Sequence, residues 1–90
     1  PEPIENAIVP APKMAPVEFK LLFTSYERVR MAKARATDET LNDFFSIVED
    51  PRLEFVDLGL VSTQDALNYL VYKGYIDQER KGEILTGIVV

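Results

Sequence analysis

The sequence contains no cysteine and no histidine. Without thiols there is no disulfide, no thiolate metal site and no cysteine nucleophile. Without imidazole the usual zinc ligand and the usual neutral-pH general base are missing as well. Gly59, Gly74, Gly82 and Gly87 stand singly near expected element ends, so no glycine-rich loop is there to cradle a phosphate. No apolar run approaches the ~18 residues of a membrane span. No charged stretch leads into an apolar core and a small-residue cleavage site, so the expectation is a soluble, cytoplasmic chain with no secretory signal and no membrane partner.

What is present amounts to one domain of ordinary composition: 90 residues, 47% hydrophobic and 28% charged. Fifteen acids oppose ten bases, for a net charge of −5. Such a balance keeps a small protein soluble and steers it toward basic partners. Nucleic acid, whose binding is driven by Lys and Arg contacts, would need a local basic patch.

Residues 1–16 hold five of the six prolines, Pro1, Pro3, Pro10, Pro12 and Pro16. Proline fixes φ and removes a donor, so this stretch reads as an extended arm, and residues 17–90 as a small, mainly α-helical domain. Ile4, Ile8 and Val9 supply apolar side chains that a purely solvated linker does not need. They are expected to lie across a partner surface.

Val17–Phe23 alternates in its first half and reads as a short strand or the lead-in to a helix. Thr24 and Ser25 are candidate N-caps for a helix over Tyr26–Ala36, with Tyr26, Val29 and either Met31 or Lys33 inward. Thr37 and Asp38 interrupt and can cap the clearest element, Glu39–Asp50, where Leu41, Phe44, Phe45 and Val48 fall at i, i+3, i+4 and i+7. Pro51 ends it, and Arg52–Val61 is a short extended or irregular segment. Ser62 and Asp65 have capping-box spacing at the head of a helix over Ser62–Lys73, with Leu67, Leu70 and Val71 inward and Gly74 at C′. Asp77 leads into QERKGEIL, a last short helix or a charged turn. Ile84–Val90 favours a strand or an apolar tail. The expected core is Phe19, Leu22, Val29, Leu41, Phe44, Phe45, Val48, Phe55, Leu58, Leu60, Leu67, Leu70, Val71, Tyr75 and Ile76.

No catalytic constellation emerges. The carboxylates Asp43 with Glu49 and Asp50, and Asp77 with Glu79, fall at helix surfaces or caps, whereas acid–base work needs two acids held across a pocket with separated pKa values. No calcium-loop spacing occurs. No catalytic residue, metal or cofactor is therefore expected. The one basic cluster, Arg28, Arg30, Lys33 and Arg35, spreads around a helix and offers an anion contact, with a plain solvated face as the ordinary alternative. A winged helix is a second arrangement, with residues 62–73 as recognition helix and a hairpin turning at Lys81-Gly82. Its helix would present Gln64, Asp65, Asn68 and Tyr72 with only Lys73 positive, a poor complement of phosphate contacts.

Residues 44–61, FFSIVEDPRLEFVDLGLV, resemble the C-terminal segment of the internal scaffolding proteins of gokushovirus-type microviruses. That segment is an amphipathic helix of the form F-x-x-F/I-x-x-D-P, then a short acidic stretch ending in L-G-L. The matching residues are Phe44, Ile47, Asp50, Pro51, Leu58, Gly59 and Leu60. The chain is shorter than that family usually is, lacks its N-terminal D-I-N-type block, and runs about thirty residues past L-G-L. The resemblance implies a scaffolding role on the inner face of a coat protein, in the virion or the cytoplasm, without catalysis.

These readings converge on a structural or assembly protein that docks on a larger complex. The expected contacts are Ile4, Ile8 and Val9 on the arm and Ile88, Val89 and Val90 on the apolar tail. A winged-helix nucleic-acid binder and a non-catalytic subunit of an enzyme complex are the alternatives.

Overall fold

The computed structural model describes residues 13–88. In chain order they form strand β1 (Lys13–Met14), helices α1 (Pro16–Lys20), α2 (Ser25–Ala34) and α3 (Glu39–Val48), strand β2 (Val56–Asp57), and helices α4 (Val61–Tyr72) and α5 (Gln78–Leu85). The fold is mainly α, as expected. The two strands pair antiparallel, Lys13 opposite Asp57 and Met14 opposite Val56. Lys13 and Met14, placed in the arm by composition, thus belong to the body, and Met14 is buried.

Val17–Phe23, read as a short strand or the lead-in to a helix, is not a strand: it holds α1 and its closing turn. Pro16 sits in the first turn, where its fixed φ suits a helix and its missing N–H costs nothing. Glu18 Oε1 accepts from the Ala15 N–H at 3.1 Å. Phe19, Leu22 and Phe23, at i, i+3 and i+4, are all buried, while Val17 and Leu21 face solvent. Helical spacing of three large side chains wins over a short alternation.

Helix α2 begins with a reciprocal capping box. The Glu27 N–H donates to Thr24 Oγ1 at 3.1 Å and the Thr24 N–H donates to Glu27 Oε1 at 2.8 Å. Its inward face differs from the one expected. Of the expected residues Met31 is buried, whereas Tyr26 and Val29 are exposed; Glu27 is buried instead and Ala34 packs on the core. The reason lies in α5: the Arg80 guanidinium forks onto Glu27, Nε to Oε2 and Nη2 to Oε1, both at 2.9 Å, and Nη2 also reaches the Leu22 carbonyl at 3.0 Å. That pairing lets a carboxylate replace an apolar side chain on the buried face.

Asp38 caps α3 as expected, accepting from the Leu41 N–H at 3.1 Å. Helix α4 starts earlier than its Ser62–Asp65 spacing indicates. Its N-cap is Leu60, without a side-chain cap, and Ser62 already lies inside the first turn. The tight turn before it, where the Gly59 N–H donates to Asp57 Oδ1 at 2.8 Å, delivers the chain to the helix two residues sooner. Gly74 ends α4 in left-handed geometry at φ 81°, as its C′ position requires. Of the two readings of QERKGEIL, the last short helix is the one found: residues 78–85 are helical. Ile84 and Leu85 are therefore not part of a strand, Ile84 is buried, and Gly87 turns the chain at φ 73°.

Four phenylalanines organise one end of the core. Phe19 packs edge-on against Phe23 and Phe44 at 5.5 and 5.9 Å, and Phe45 meets Phe23 and Phe44 at 6.2 and 5.0 Å, which closes a ring of four. Leu41, Val48, Leu58, Leu67, Leu70, Ile76 and Ile84 continue the core toward α4 and α5. Of the expected core, Phe44, Val71 and Tyr75 are half-buried, while Val29, Phe55 and Leu60 are exposed.

Candidate functional site

Two constellations of polar groups stand out, and both hold the fold together. Asp38 accepts from the Tyr69 hydroxyl at 2.7 Å and the Tyr75 hydroxyl at 2.8 Å, tying the start of α3 to α4 and to the turn beyond it. Desolvation pushes the Asp38 carboxyl up, but the Leu41 N–H and the two phenols outweigh it and its pKa lies below the ordinary value. The same carboxylate raises the pKa of both tyrosines. The second constellation is the Glu27–Arg80 fork, in which the guanidinium holds Glu27 below its usual range against the opposing effect of burial.

The basic cluster is divided. Arg28 and Arg35 line a pocket of about 290 Å³ between α2 and α3, floored by Phe23, Met31 and Phe45. Arg28 donates to the Phe23 carbonyl. Arg35 Nη1 and Lys20 Nζ each donate to Glu49 Oε2 at 2.8 Å. Arg30 turns away to the carbonyls of Gly74 and Tyr75, at 3.3 and 3.5 Å. Lys33 is exposed and makes no hydrogen bond or ion pair among the described residues. The four bases therefore do not converge on one anion site.

Glu49, bonded by Arg35 and Lys20, has its pKa lowered from 4.5 to about 2. A carboxyl whose folded pKa is depressed contributes stability above its unfolded pKa, and that contribution fades as the pH falls toward the folded value. Glu27, Asp38 and Asp50 shift in the same direction. The melting temperature is accordingly expected to fall steadily on acidification from pH 4.5 toward about 2, and Glu49→Gln to make that decline shallower. Thermal melts across that range check this. A flat profile, or one that Glu49→Gln leaves unaltered, contradicts it.

The remaining surface feature is a groove of about 510 Å³ between α3 and α4, closed at one side by the β2 segment. Its walls are two stripes with the same spacing. Thr40, Asp43, Phe44 and Ile47 come from α3, and Ser62, Asp65, Ala66 and Tyr69 from α4, each set at i, i+3, i+4 and i+7. Val48 and Thr63, each one position beyond a stripe residue, line it as well, and Leu53, Phe55, Val56 and Leu60 complete the apolar lining. Ile47, Phe55 and Leu60 remain 56%, 45% and 53% exposed. Three acids, Asp43, Asp57 and Asp65, rim the groove; among the described residues no base lines it, although Lys13 Nζ stands 5.1 Å over the ring of Phe55 at one side.

Phe44, Ile47 and Leu60, which carry the scaffolding-protein resemblance, all line this groove, while Leu58 is buried beneath it. Phe55 and Leu60 were expected in the core, and their exposure belongs to the groove. Its α4 wall was missed because the buried stripe of Leu67 and Leu70 dominates that helix. The second stripe was legible only as Ala66 and Tyr69 at i, i+3.

Ile88, expected at a partner contact, is exposed after the Gly87 turn. Ile4, Ile8, Val9, Val89 and Val90 lie outside the described residues. The wing hairpin expected to turn at Lys81-Gly82 is absent, since both residues lie inside α5. Among the described residues no group of three or more acids is placed to hold a metal ion, and no helix is long and apolar enough to cross a membrane. No protein-family model matches the chain, nor does any curated protein or solved structure.

Proposed function

We propose that the chain is a non-catalytic assembly subunit that docks on a larger protein complex. The observation that carries this reading is the open apolar groove between α3 and α4, ringed by acids and left uncovered among the described residues. A contact surface of this kind, apolar at its centre and charged at its rim, has the anatomy of a protein interface. The strongest polar constellations, by contrast, are consumed by internal bonds: Asp38 by two tyrosines and Glu27 by Arg80. The apolar arm residues Ile4, Ile8 and Val9 and the tail residues Ile88, Val89 and Val90 add further contacts. The resemblance of residues 44–61 to microvirus scaffolding proteins favours a capsid coat protein as the partner and the virion or its cytoplasmic precursor as the location.

The nucleic-acid reading loses support. Three of the four clustered bases are engaged with carbonyls or with Glu49, and α5 stands where a wing would be. A silent subunit of an enzyme complex would use the same groove and differs only in the partner found.

Sedimentation of a native extract, with and without nuclease and with the chain followed by mass spectrometry, tests the proposal. The chain is expected in a fast, nuclease-resistant particle, and either Ile47→Asp or deletion of residues 1–12 is expected to move it to the slow fraction without altering its melting. A wild-type chain that sediments as a free small protein overturns the reading. Release by nuclease transfers it to the nucleic-acid class.

A further inference from the structure

Helix α2 carries a third stripe with the spacing of the two groove walls. Tyr26, Val29, Arg30 and Lys33 fall at i, i+3, i+4 and i+7 on the face turned to solvent. Tyr26 is 71% exposed and Val29 51% exposed, so two apolar side chains one turn apart stand together on this face. Arg30 stacks over the Tyr26 ring at 5.6 Å, so aromatic surface and positive charge are held together. The stripe is thus apolar with basic flanks, and the groove is apolar with acidic flanks. None of the groove's lining residues comes from α2, so a molecule does not fill its own groove with its own stripe.

We propose that the groove takes the α2 stripe of a second copy of this chain. The inference rests on the reading of the groove as a protein-docking surface and names its occupant. An amphipathic helix entering a groove presents anchors at i, i+3, i+4 and i+7, the spacing found on α2. Tyr26 and Val29 are the apolar anchors, set against Phe44, Ile47, Ala66 and Leu60. Lys33 faces the rim carboxylates Asp43 and Asp65, one from each wall, while Arg30, held by the Gly74 and Tyr75 carbonyls, keeps its charge over the Tyr26 ring at the edge of the contact. Stripe and groove are different surfaces, so the contact is heterologous: every molecule offers one of each, and copies add head to tail. Complementary charge at the rim makes the association sensitive to salt and selective against copies docked in the wrong sense.

The test is a charge exchange on the full chain, using exposed residues that make no internal bond. Lys33→Glu alters the stripe, and the double variant Asp43→Lys with Asp65→Lys alters the groove. Circular dichroism is expected to be unchanged in both. In sedimentation velocity at low salt the wild-type chain is expected to gain mass with concentration, and high salt to remove most of that gain. Each variant alone is expected to lose it. An equimolar mixture is expected to regain it, because the acidic stripe of one variant then meets the basic groove of the other while the reciprocal pair remains native. A wild-type chain that stays monomeric, or one whose association neither variant weakens, overturns the proposal. So does a mixture that fails to recover. A chain that stays monomeric yet travels in a larger particle overturns the self-contact alone and leaves the docking reading standing. One that self-associates through these residues without entering any particle supports the contact and overturns the larger reading.

Discussion

Phe19→Ala is expected to cost about 3–5 kcal/mol, the range for a buried phenylalanine truncated without collapse of its surroundings. Phe19 is fully buried and touches two of the three other rings in the phenylalanine ring of four. Its removal breaks two edge-on contacts and leaves Phe23 and Phe44 facing a void, which their own places against Phe45 prevent them from filling. A domain of this size has roughly 5–15 kcal/mol of stability in all, so the variant should unfold at far lower denaturant or lack a cooperative transition at ambient temperature. Phe55→Ala is the control of like chemistry. Phe55 is half-exposed and should fall within about 0.5 kcal/mol of wild type. Urea titrations that give the two variants equal midpoints would contradict the role assigned to the ring of four.

The second large effect belongs to Arg80→Met. The variant keeps much of the side-chain volume but removes the fork on Glu27 and the bond to the Leu22 carbonyl together. Glu27 then remains as a carboxylate with little access to water and only the Thr24 cap as partner. The side chains of Arg80 and Glu27 are 21% and 11% exposed, so the loss should be smaller than for a fully buried pair. It should come to about 2–3 kcal/mol, most of it the penalty of an unpaired carboxylate. That origin has its own signature. Adding Glu27→Gln, which keeps the reciprocal cap without the charge, should recover a substantial part of the loss. If the double variant melts lower than Arg80→Met by the full cost of Glu27→Gln alone, the unpaired charge is not the cause.

The two predictions also mark where the sequence was legible. The apolar stripe Leu41, Phe45 and Val48 and the caps Thr24, Asp38 and Asp77 obey local rules, and α2, α3 and α5 start where those caps stand. The orientation of α2 was not local. It depends on Arg80, 53 positions further along the chain than Glu27, so no window over the helix could show that Glu27 faces inward. The beginning of the body was hidden for a similar reason. Lys13 and Met14 sit among prolines, and only their pairing with Val56 and Asp57 makes them part of the fold. The candidate site lay between these cases. Of its α3 wall, periodicity marked Phe44 and Val48, both as core, and Ile47 entered only through the resemblance; Phe55 and Leu60 likewise read as core, because an apolar residue awaiting a partner and one already buried have the same side chain.

The short β1–β2 pair fixes where the proline-rich segment meets the body, with Lys13 opposite Asp57, and Asp57 is itself part of the groove rim. Val56, the partner of the buried Met14 in that pair, also lines the groove, so the β2 side of the groove is braced by only two residues from the start of the body. So short a ladder opens more readily than the helices it joins. Peeling Lys13 and Met14 away would slacken one wall of the groove and weaken whatever it holds, without altering a single groove residue.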